Sequence, residues 1–368
     1  MVDETFPFLD FFAGSGLVTE GVKPYFYTVW ANDISEQKGN IYNSNQNKSV
    51  FHLGPLQTHL DSQVPFAIVS WASFPCQDLS VAGKQEGINA SRSGLFWVWL
   101  DAMDRMPVRP PIVVAENVSG LTSAEKGKNY VALHQALVSR GYRVGPILLD
   151  ALNWLPQSRK RIFVIGVQKD IEIDCLTDVS PNWLHPNTVT RALDGLKDVI
   201  WWKMPKPPRR TSRLSDFIDY DIPIYSSEKA DDIISLIPGT HKDKIRTGIL
   251  SGVDIFPGYR RIRNNKQVLE IRADDISGCL RTANGGSSRQ FIIIARNNRL
   301  DVRLLSVREA ARLMGVPDSY KIPGTFNDGY NAMGDAVALP VTRFIAKELL
   351  LPLARRAYAY YSGITSKV

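Results

Sequence analysis

Sulfur and imidazole are scarce in this chain. Its 368 residues include only three cysteines, Cys76, Cys175 and Cys279, and five histidines. The cysteines lie far apart and none forms a CxxC pair, which argues against a disulfide framework or a zinc site, and predicts a reducing compartment. Apolar runs long enough to span a bilayer are missing. So is the basic-then-apolar layout of a secretory leader. A cytoplasmic protein with no membrane partner and no bound metal is the expectation. Internal repeats are absent, and only Lys206-Pro207-Pro208-Arg209-Arg210 approaches low complexity. What is present is a 44% hydrophobic chain, enough for a substantial core and, at this length, for two domains. The formal charge of +7 and pI of about 9.2 favour a polyanionic partner, a bias that many ordinary proteins share.

Strand-like and helix-like stretches alternate over residues 1–170. Short buried strands are predicted from Phe6 to Phe12, Phe26 to Ala31, Pro65 to Trp71, Pro111 to Ala115, Tyr142 to Leu149 and Arg161 to Val167. Helical patterns run from Leu95 to Met103 and from Asn129 to Arg140. Alternation of this kind implies a mostly parallel, doubly wound α/β sheet. Near Glu172 the texture changes: prolines, tryptophans, basic pairs and weakly periodic segments fill roughly 173–300. Helical patterns return at Val307 to Met314 and at Leu339 to Leu353.

Chemistry is concentrated where strands end. Ser73-Phe74-Pro75-Cys76-Gln77-Asp78 follows the apolar run Phe66-Ala67-Ile68-Val69 and reads as a strand delivering a thiol to the open end of a sheet. Pro75 fixes one backbone angle before it. Free cysteine is often just a small core hydrophobe, but the polar neighbours favour a nucleophile. The first strand ends in Asp10-Phe11-Phe12-Ala13-Gly14-Ser15-Gly16, a small-residue turn before a helix that allows backbone amides to approach a ligand closely. Its glycines at 14, 16 and 21 miss the strict GxGxxG spacing. The second strand ends in Asn32-Asp33, where an acid can hold both ribose hydroxyls. Each piece alone reads equally well as an ordinary βα turn; together they favour a nucleoside cofactor. Another strand ends in Glu116-Asn117-Val118, and a half-buried carboxyl there is suited to holding or donating a proton. In Gln157-Ser158-Arg159-Lys160-Arg161, two arginines two apart share one face of an extended segment. A basic strand edge that discourages aggregation is the bland reading of that run, and it ranks below a role in contacting a phosphate or a base.

Taken in order, these segments resemble the DNA (cytosine-5) methyltransferase family. Its motifs stand here as Phe12-Ala13-Gly14-Ser15-Gly16, Asn32-Asp33, Phe74-Pro75-Cys76-Gln77, Ser91-Arg92-Ser93-Gly94-Leu95-Phe96, Glu116-Asn117-Val118 and Gln157-Ser158-Arg159-Lys160-Arg161. Arg308-Glu309-Ala310-Ala311-Arg312-Leu313-Met314-Gly315-Val316-Pro317-Asp318 and Gly334-Asp335-Ala336-Val337 complete the set.

The resemblance implies a class I, Rossmann-like methyltransferase. Its catalytic and S-adenosylmethionine-binding domain would span 1–172 plus 322–368, and a smaller, irregular target recognition domain 173–321. Cys76 would add to carbon-6 of a flipped cytosine. Glu116 would bridge ring nitrogen-3 and the exocyclic amine, and Arg161 would contact the base carbonyl. Arg159 and Gln157 would support the pocket, and Asn117 would orient the cysteine loop. Phe12 would stack near the adenine beside the Ala13-Gly14-Ser15-Gly16 turn, and Asp33, next to Asn32, would hold the ribose. Pro55, Leu56, Pro75, Leu95, Asp335, Ala336 and Val337 would complete the cofactor pocket. Ser80 and Lys84, on a closing loop from Gln77 to Gly94, would touch double-stranded DNA.

Two departures stand out. Gly54-Pro55-Leu56 replaces the usual Gly-Asp-Ile, so the adenine amine would need another acceptor, such as a backbone carbonyl. Gly334-Asp335 replaces Gly-Asn at the cofactor's reactive end, which bears on affinity or on the group transferred. The family points to a bacterial or phage modification enzyme, monomeric and nucleoid-associated through DNA, with a possible cognate restriction endonuclease. Three rivals remain. A tRNA methyltransferase would carry a Cys-Phe-Thr signature that this chain lacks. A silent DNA-binding paralogue would have less reason to keep Cys76 and Glu116. A nicotinamide-dependent dehydrogenase would keep the GxGxxG spacing.

Overall fold

The computed structural model describes residues 4–60, 64–75, 94–282, 289–297 and 299–365. The chain divides into two compact units. The larger comprises Met1–Asp150, Lys160–Lys206 and Val341–Val368; the smaller comprises Ala151–Arg159 and Pro207–Pro340.

The larger unit is built on seven strands: β1 (Phe6–Phe11), β2 (Phe26–Asp33), β3 (Phe51–Leu53), β4 (Val69–Ala72), β5 (Ile112–Val118), β6 (Tyr142–Asp150) and β7 (Lys160–Gln168). Their order is β3-β2-β1-β4-β5-β7-β6, parallel except for β7, which runs against both neighbours. This is the doubly wound α/β sheet that the alternation predicts. β5 reads Ile-Val-Val-Ala with no polar interruption because both of its faces are covered, as parallel strands require. Short helices follow the first two strands, α1 (Leu17–Val22) and α2 (Glu36–Asn45), and α3 (Leu95–Asp104) precedes β5. In α3, Phe96, Trp99, Leu100 and Met103 are buried at i, i+3, i+4 and i+7, one apolar stripe facing the sheet. A two-stranded pair, β8 (Thr177–Asp178) and β9 (Trp201–Trp202), lies later in this unit. Its approach to β6 explains Gly145: a Cβ there would sit 2.3 Å from the Ile200 carbonyl oxygen and 2.7 Å from Trp202 Nε1. Trp202 Nε1 instead donates to the Gly145 carbonyl at 2.9 Å.

The smaller unit holds a four-stranded antiparallel sheet in the order β11-β10-β12-β13, from β10 (Ile255–Arg263), β11 (Lys266–Ile271), β12 (Gln290–Arg296) and β13 (Arg299–Leu304). Phe256, Leu269, Ile271, Phe291, Ile293 and Val302 pack with Ala230 and Ile233 of one helix, Ile245 of the next and Ile237 between them into one core. Under the helix Val307–Leu313, Arg303 and Glu309 form a buried ion pair at 2.6 Å. Burial pushes the Glu309 carboxyl up, but the Arg303 fork and backbone donors from Asp219 and Ser306 outweigh it and leave it below the usual range. No helix among the described residues is long and apolar enough to cross a membrane.

Candidate active site

Strand direction brings the first pair of functional side chains together. β5 ends in Glu116-Asn117-Val118 at the carboxyl edge of the parallel strands. Because β7 is antiparallel, its beginning reaches that same edge, and Arg161 stands opposite Val118. A parallel β7 would have left Arg161 roughly 20 Å away, at the other end of the sheet. Instead Arg161 Nε lies 3.1 Å from Glu116 Oε1, with the carboxylate side chain 7% and the guanidinium side chain 13% exposed. Arg161 Nη1 also donates to the Lys160 carbonyl at 2.9 Å.

Asn117 points to the opposite face of β5, as strand alternation requires. Its Nδ2 donates to the Phe74 carbonyl at 3.1 Å, and its Oδ1 accepts the Val118 N–H at 2.9 Å. Phe74 is itself buried against Phe96 and Trp99, with the Phe12 ring edge-on at 6.4 Å. The Ser73 N–H donates to the Phe11 carbonyl. The main chain is therefore pinned two residues before Cys76, and Pro75 is exposed beside it. Cys76, Ser80 and Lys84 lie outside the described residues.

The turn after β1 is strained. Phe12, Gly14 and Gly16 all adopt positive φ, at 58°, 55° and 82°. For a bulky residue such as Phe12 this is costly, and such strain clusters at functional sites. Neighbouring hydrogen bonds hold it in place. Ala13 N–H donates to the Asn32 carbonyl at 2.8 Å, and Gly14 N–H donates to Asp33 Oδ2 at 2.9 Å. The other Asp33 oxygen accepts from Ser35 N–H at 2.8 Å. Each carboxylate oxygen keeps a further lone pair. Asn32 faces away and donates from Nδ2 to the carbonyls of His52 and Gly54, at 2.8 and 2.9 Å. It thereby fixes the Gly54-Pro55 bend next to buried Leu56. The Pro55 carbonyl accepts from both the N–H and the hydroxyl of Thr58. Leu95 opens α3 and is half-buried.

Gln157 and Arg159 belong to the smaller unit and are almost fully buried there. Gln157 Nε2 donates to the Leu313 carbonyl at 2.7 Å, and its Oε1 accepts from Leu280 N–H at 3.2 Å. Arg159 donates to the carbonyls of Leu280, Gly334 and Ala336, at 2.9, 2.8 and 2.6 Å. The shared face expected of Arg159 and Arg161 is not found: β7 begins only at Lys160, and alternation holds only within a strand. Gly334 is required by close packing, since a Cβ would meet the Arg281 carbonyl carbon at 2.5 Å. Asp335 is exposed at the end of its helix, Ala336 half-buried and Val337 buried. Among the described residues no cluster of three or more His, Cys, Asp or Glu side chains could hold a metal ion.

One group went unread in the sequence. Asp10, in β1, is fully buried; Thr19 Oγ1 donates to its Oδ2 at 2.7 Å, and its Oδ1 has no hydrogen-bond partner among the described residues. Burial pushes its pKa up to about 7, against the Thr19 hydrogen bond. The signal was an acid inside the run Phe-Pro-Phe-Leu-Asp-Phe. Between pH 3.8 and about 7 the folded state keeps a proton that the unfolded chain has lost, so stability falls as pH rises through that window. The full penalty, roughly 4 kcal/mol, applies above it. Asp10→Asn is expected to flatten this slope and to be the more stable form at pH 8. Urea unfolding at pH 5 and pH 8 checks it, and an unchanged slope would show that Asp10 ionises freely.

The chain is 27% identical to the Type II methyltransferase M.Bsp6I of Bacillus sp. (strain RFL6), over 92% of this chain and 96% of that one. It is 28% identical to the Type II methyltransferase M.HpaII of Haemophilus parainfluenzae, over 94% and 90%. Among solved structures, the S. pombe Dnmt2 methyltransferase superposes with a TM-score of 0.62 at 18% identity, covering 95% of this chain and 99% of that one, and so shares its fold. The model of the C-5 cytosine-specific DNA methylase family matches residues 6–351, and the chain belongs to that family.

Proposed function

We propose that this chain methylates carbon-5 of a cytosine extruded from duplex DNA, with Cys76 as covalent nucleophile and S-adenosylmethionine as methyl donor. The observation that carries the reading is the Glu116–Arg161 pair, set beside a main chain that Asn117 pins two residues ahead of Cys76. Carbon-5 of cytosine is a poor nucleophile while the ring is aromatic. The Cys76 thiolate adds to carbon-6, the electrons of the 5,6 double bond move to carbon-5, and one hard step becomes two easier ones. Glu116, holding a proton against ring nitrogen-3, offsets the charge that builds on the ring. Arg161 donates to the ring carbonyl oxygen. After carbon-5 has gained its methyl group, a base such as water takes the carbon-5 proton, the freed electron pair reforms the 5,6 double bond as the thiolate leaves carbon-6, and the nitrogen-3 proton returns to Glu116. Extruding the nucleotide costs a few kcal/mol, which DNA contacts from Ser80 and Lys84 would help to offset.

S-adenosylmethionine, when bound, supplies the electrophilic methyl group and leaves as S-adenosylhomocysteine. The residues fit it: the free lone pairs of Asp33 suit the ribose hydroxyls, and Phe12 suits the adenine. Pro55, Leu56, Pro75, Leu95, Asp335, Ala336 and Val337 are the remaining proposed lining. Pro55 has no side-chain acceptor to replace the acid the family usually has, so a neighbouring main-chain carbonyl would take the adenine amine. The Type II names of the relatives support a restriction-modification setting with a cognate endonuclease, in which this chain would act as a cytoplasmic monomer.

Duplex DNA carrying 5-fluorocytosine tests the covalent route, because fluorine cannot leave as a proton does. A denaturation-resistant complex that requires S-adenosylmethionine is expected. If the enzyme methylates ordinary DNA but traps nothing on the fluorinated duplex, the adduct is wrong.

A further inference from the structure

One buried acid stands outside the reaction. Asp10 lies in β1, 0% exposed, two residues before the strained Phe12 turn. Thr19 Oγ1 donates to its Oδ2 at 2.7 Å, and the Thr19 main-chain N–H also favours the ionised form. Thr19 Oγ1 in turn accepts from Thr28 Oγ1 at 3.3 Å and lies 3.4 Å from the Tyr42 hydroxyl. Asp10 Oδ1 finds no donor among the described residues. Tethering α1 would need only one acceptor oxygen, which a neutral side chain supplies without the cost of ionisation. A core carboxyl with an orphaned oxygen is expensive, and such groups cluster at functional sites.

Burial pushes the Asp10 pKa up to about 7 against the Thr19 bonds, and the Asp33 charge adds to the rise. Other charged groups on the surrounding elements are occupied or turned outward. Glu20 of α1 pairs with Lys23 at 3.6 Å and accepts from Gln46 Nε2. On α2, Glu36 is exposed and Lys38 is half-buried beside Gly14. On the helical segment Ala346–Leu350, which packs against α1, Lys347 pairs with Glu348 at 3.1 Å. β4 carries no charged residue. Asp33 also takes the Gly14 N–H, so it belongs to the turn proposed for the cofactor. Charge at that turn is therefore felt at Asp10, because the core screens it poorly.

We propose that Asp10 is the residue by which the site distinguishes the methyl donor from its spent product. The inference rests on the methyltransferase reading above. S-adenosylmethionine and S-adenosylhomocysteine share the adenosine, the ammonium and the carboxylate. They differ by one methyl group and one positive charge, a sulfonium in the donor and a neutral thioether in the product. Bonds to the ribose and stacking on the adenine cannot separate ligands that share those parts. A buried carboxylate can. With the cationic donor bound, Asp10 gives its proton to solvent and its negative charge offsets the sulfonium. Once the sulfur is neutral, Asp10 takes a proton back and the product loses that attraction. Asp10 acts through charge and touches no reacting atom, so it is a positioning residue.

The test titrates full-length wild type and Asp10→Asn with S-adenosylmethionine and with S-adenosylhomocysteine at pH 5, 6.5 and 7. Calorimetry in buffers of different ionisation enthalpy reads proton release beside affinity. A nearby cation lowers a carboxyl's pKa by about one unit or more. Below about 7 the free protein keeps the Asp10 proton, so affinity for the donor rises with pH through that window. Donor binding is expected to release about half a proton near pH 6.5, and donor affinity to rise roughly fivefold from pH 5 to pH 7. Product binding releases far less and stays nearly level. In Asp10→Asn the difference between the two ligands disappears. If that variant does not fold, Thr19→Val keeps the acid without its hydroxyl donor and is expected to move the donor profile to higher pH. Equal proton release for donor and product, or a donor profile unchanged in either folded variant, overturns the inference. A wild type that binds neither ligand instead defeats the methyltransferase reading itself.

Discussion

Cys76→Ser is expected to lower methyl transfer on the order of 10⁴-fold or more while leaving DNA binding in place. A thiol is a few per cent ionised near neutral pH and intrinsically very nucleophilic. A serine hydroxyl at the same point is neither, and would need a general base to act as a nucleophile. Glu116 and Arg161 are engaged with each other and are assigned to the ring of the base. The substitution is small enough to spare the backbone, which Asn117 and the burial of Phe74 hold independently of the residue at 76. Transfer of a labelled methyl group under single-turnover conditions measures the first quantity, and titration with fluorescent duplex measures the second. Transfer within tenfold of wild type would assign the nucleophile elsewhere. Loss of both activities together would make Cys76 a structural residue.

The larger unit was legible because its strands are uninterrupted apolar runs. Ile112-Val-Val-Ala and Ile162-Phe-Val-Ile leave no other reading, and the stripe of Phe96, Trp99, Leu100 and Met103 announces α3. Direction was not legible. Nothing in Ile162-Phe-Val-Ile says that β7 runs against its neighbours, yet that reversal alone brings Arg161 to Glu116. The sheet of the smaller unit was missed for a different reason. Phe291–Ala295 is a continuous apolar run without alternation, and Arg260-Arg261-Ile262-Arg263 lacks a strand pattern because the end of the β10–β11 hairpin extends beyond β12 and has little face to bury. Two local signals were available: the Asn264-Asn265 pair between matched segments, and the Ser306-Val307-Arg308-Glu309 capping box. In the latter, Ser306 Oγ accepts from Glu309 N–H while Glu309 Oε2 accepts from Ser306 N–H. The partners of Gln157 and Arg159, more than 120 residues further along, leave no trace in the residues that flank them.

Glu116→Gln is expected to reduce kcat by roughly 10²- to 10⁴-fold with only a small change in thermal stability. The two effects separate because the amide keeps the shape and still offers Arg161 Nε an acceptor at the carboxylate position. Arg161 also retains its bond to the Lys160 carbonyl. What the amide cannot do is hold and deliver a proton at ring nitrogen-3 while charge accumulates there. Glu116→Ala is a poorer probe. It strips the partner from a guanidinium that is only 13% exposed, and unpaired buried charge of this kind costs about 3–5 kcal/mol, which would confound chemistry with folding. Arg161→Lys completes the comparison by keeping a cation without the planar fork. If both side chains act on one ring, the double variant loses much less than the product of the single losses, since each single change already disables the same step. Independent, multiplying losses would mean that the two serve separate ends. A wild-type kcat in Glu116→Gln, or a loss of rate that merely follows a loss of folded protein, would reduce the pair to a structural bridge between β5 and β7.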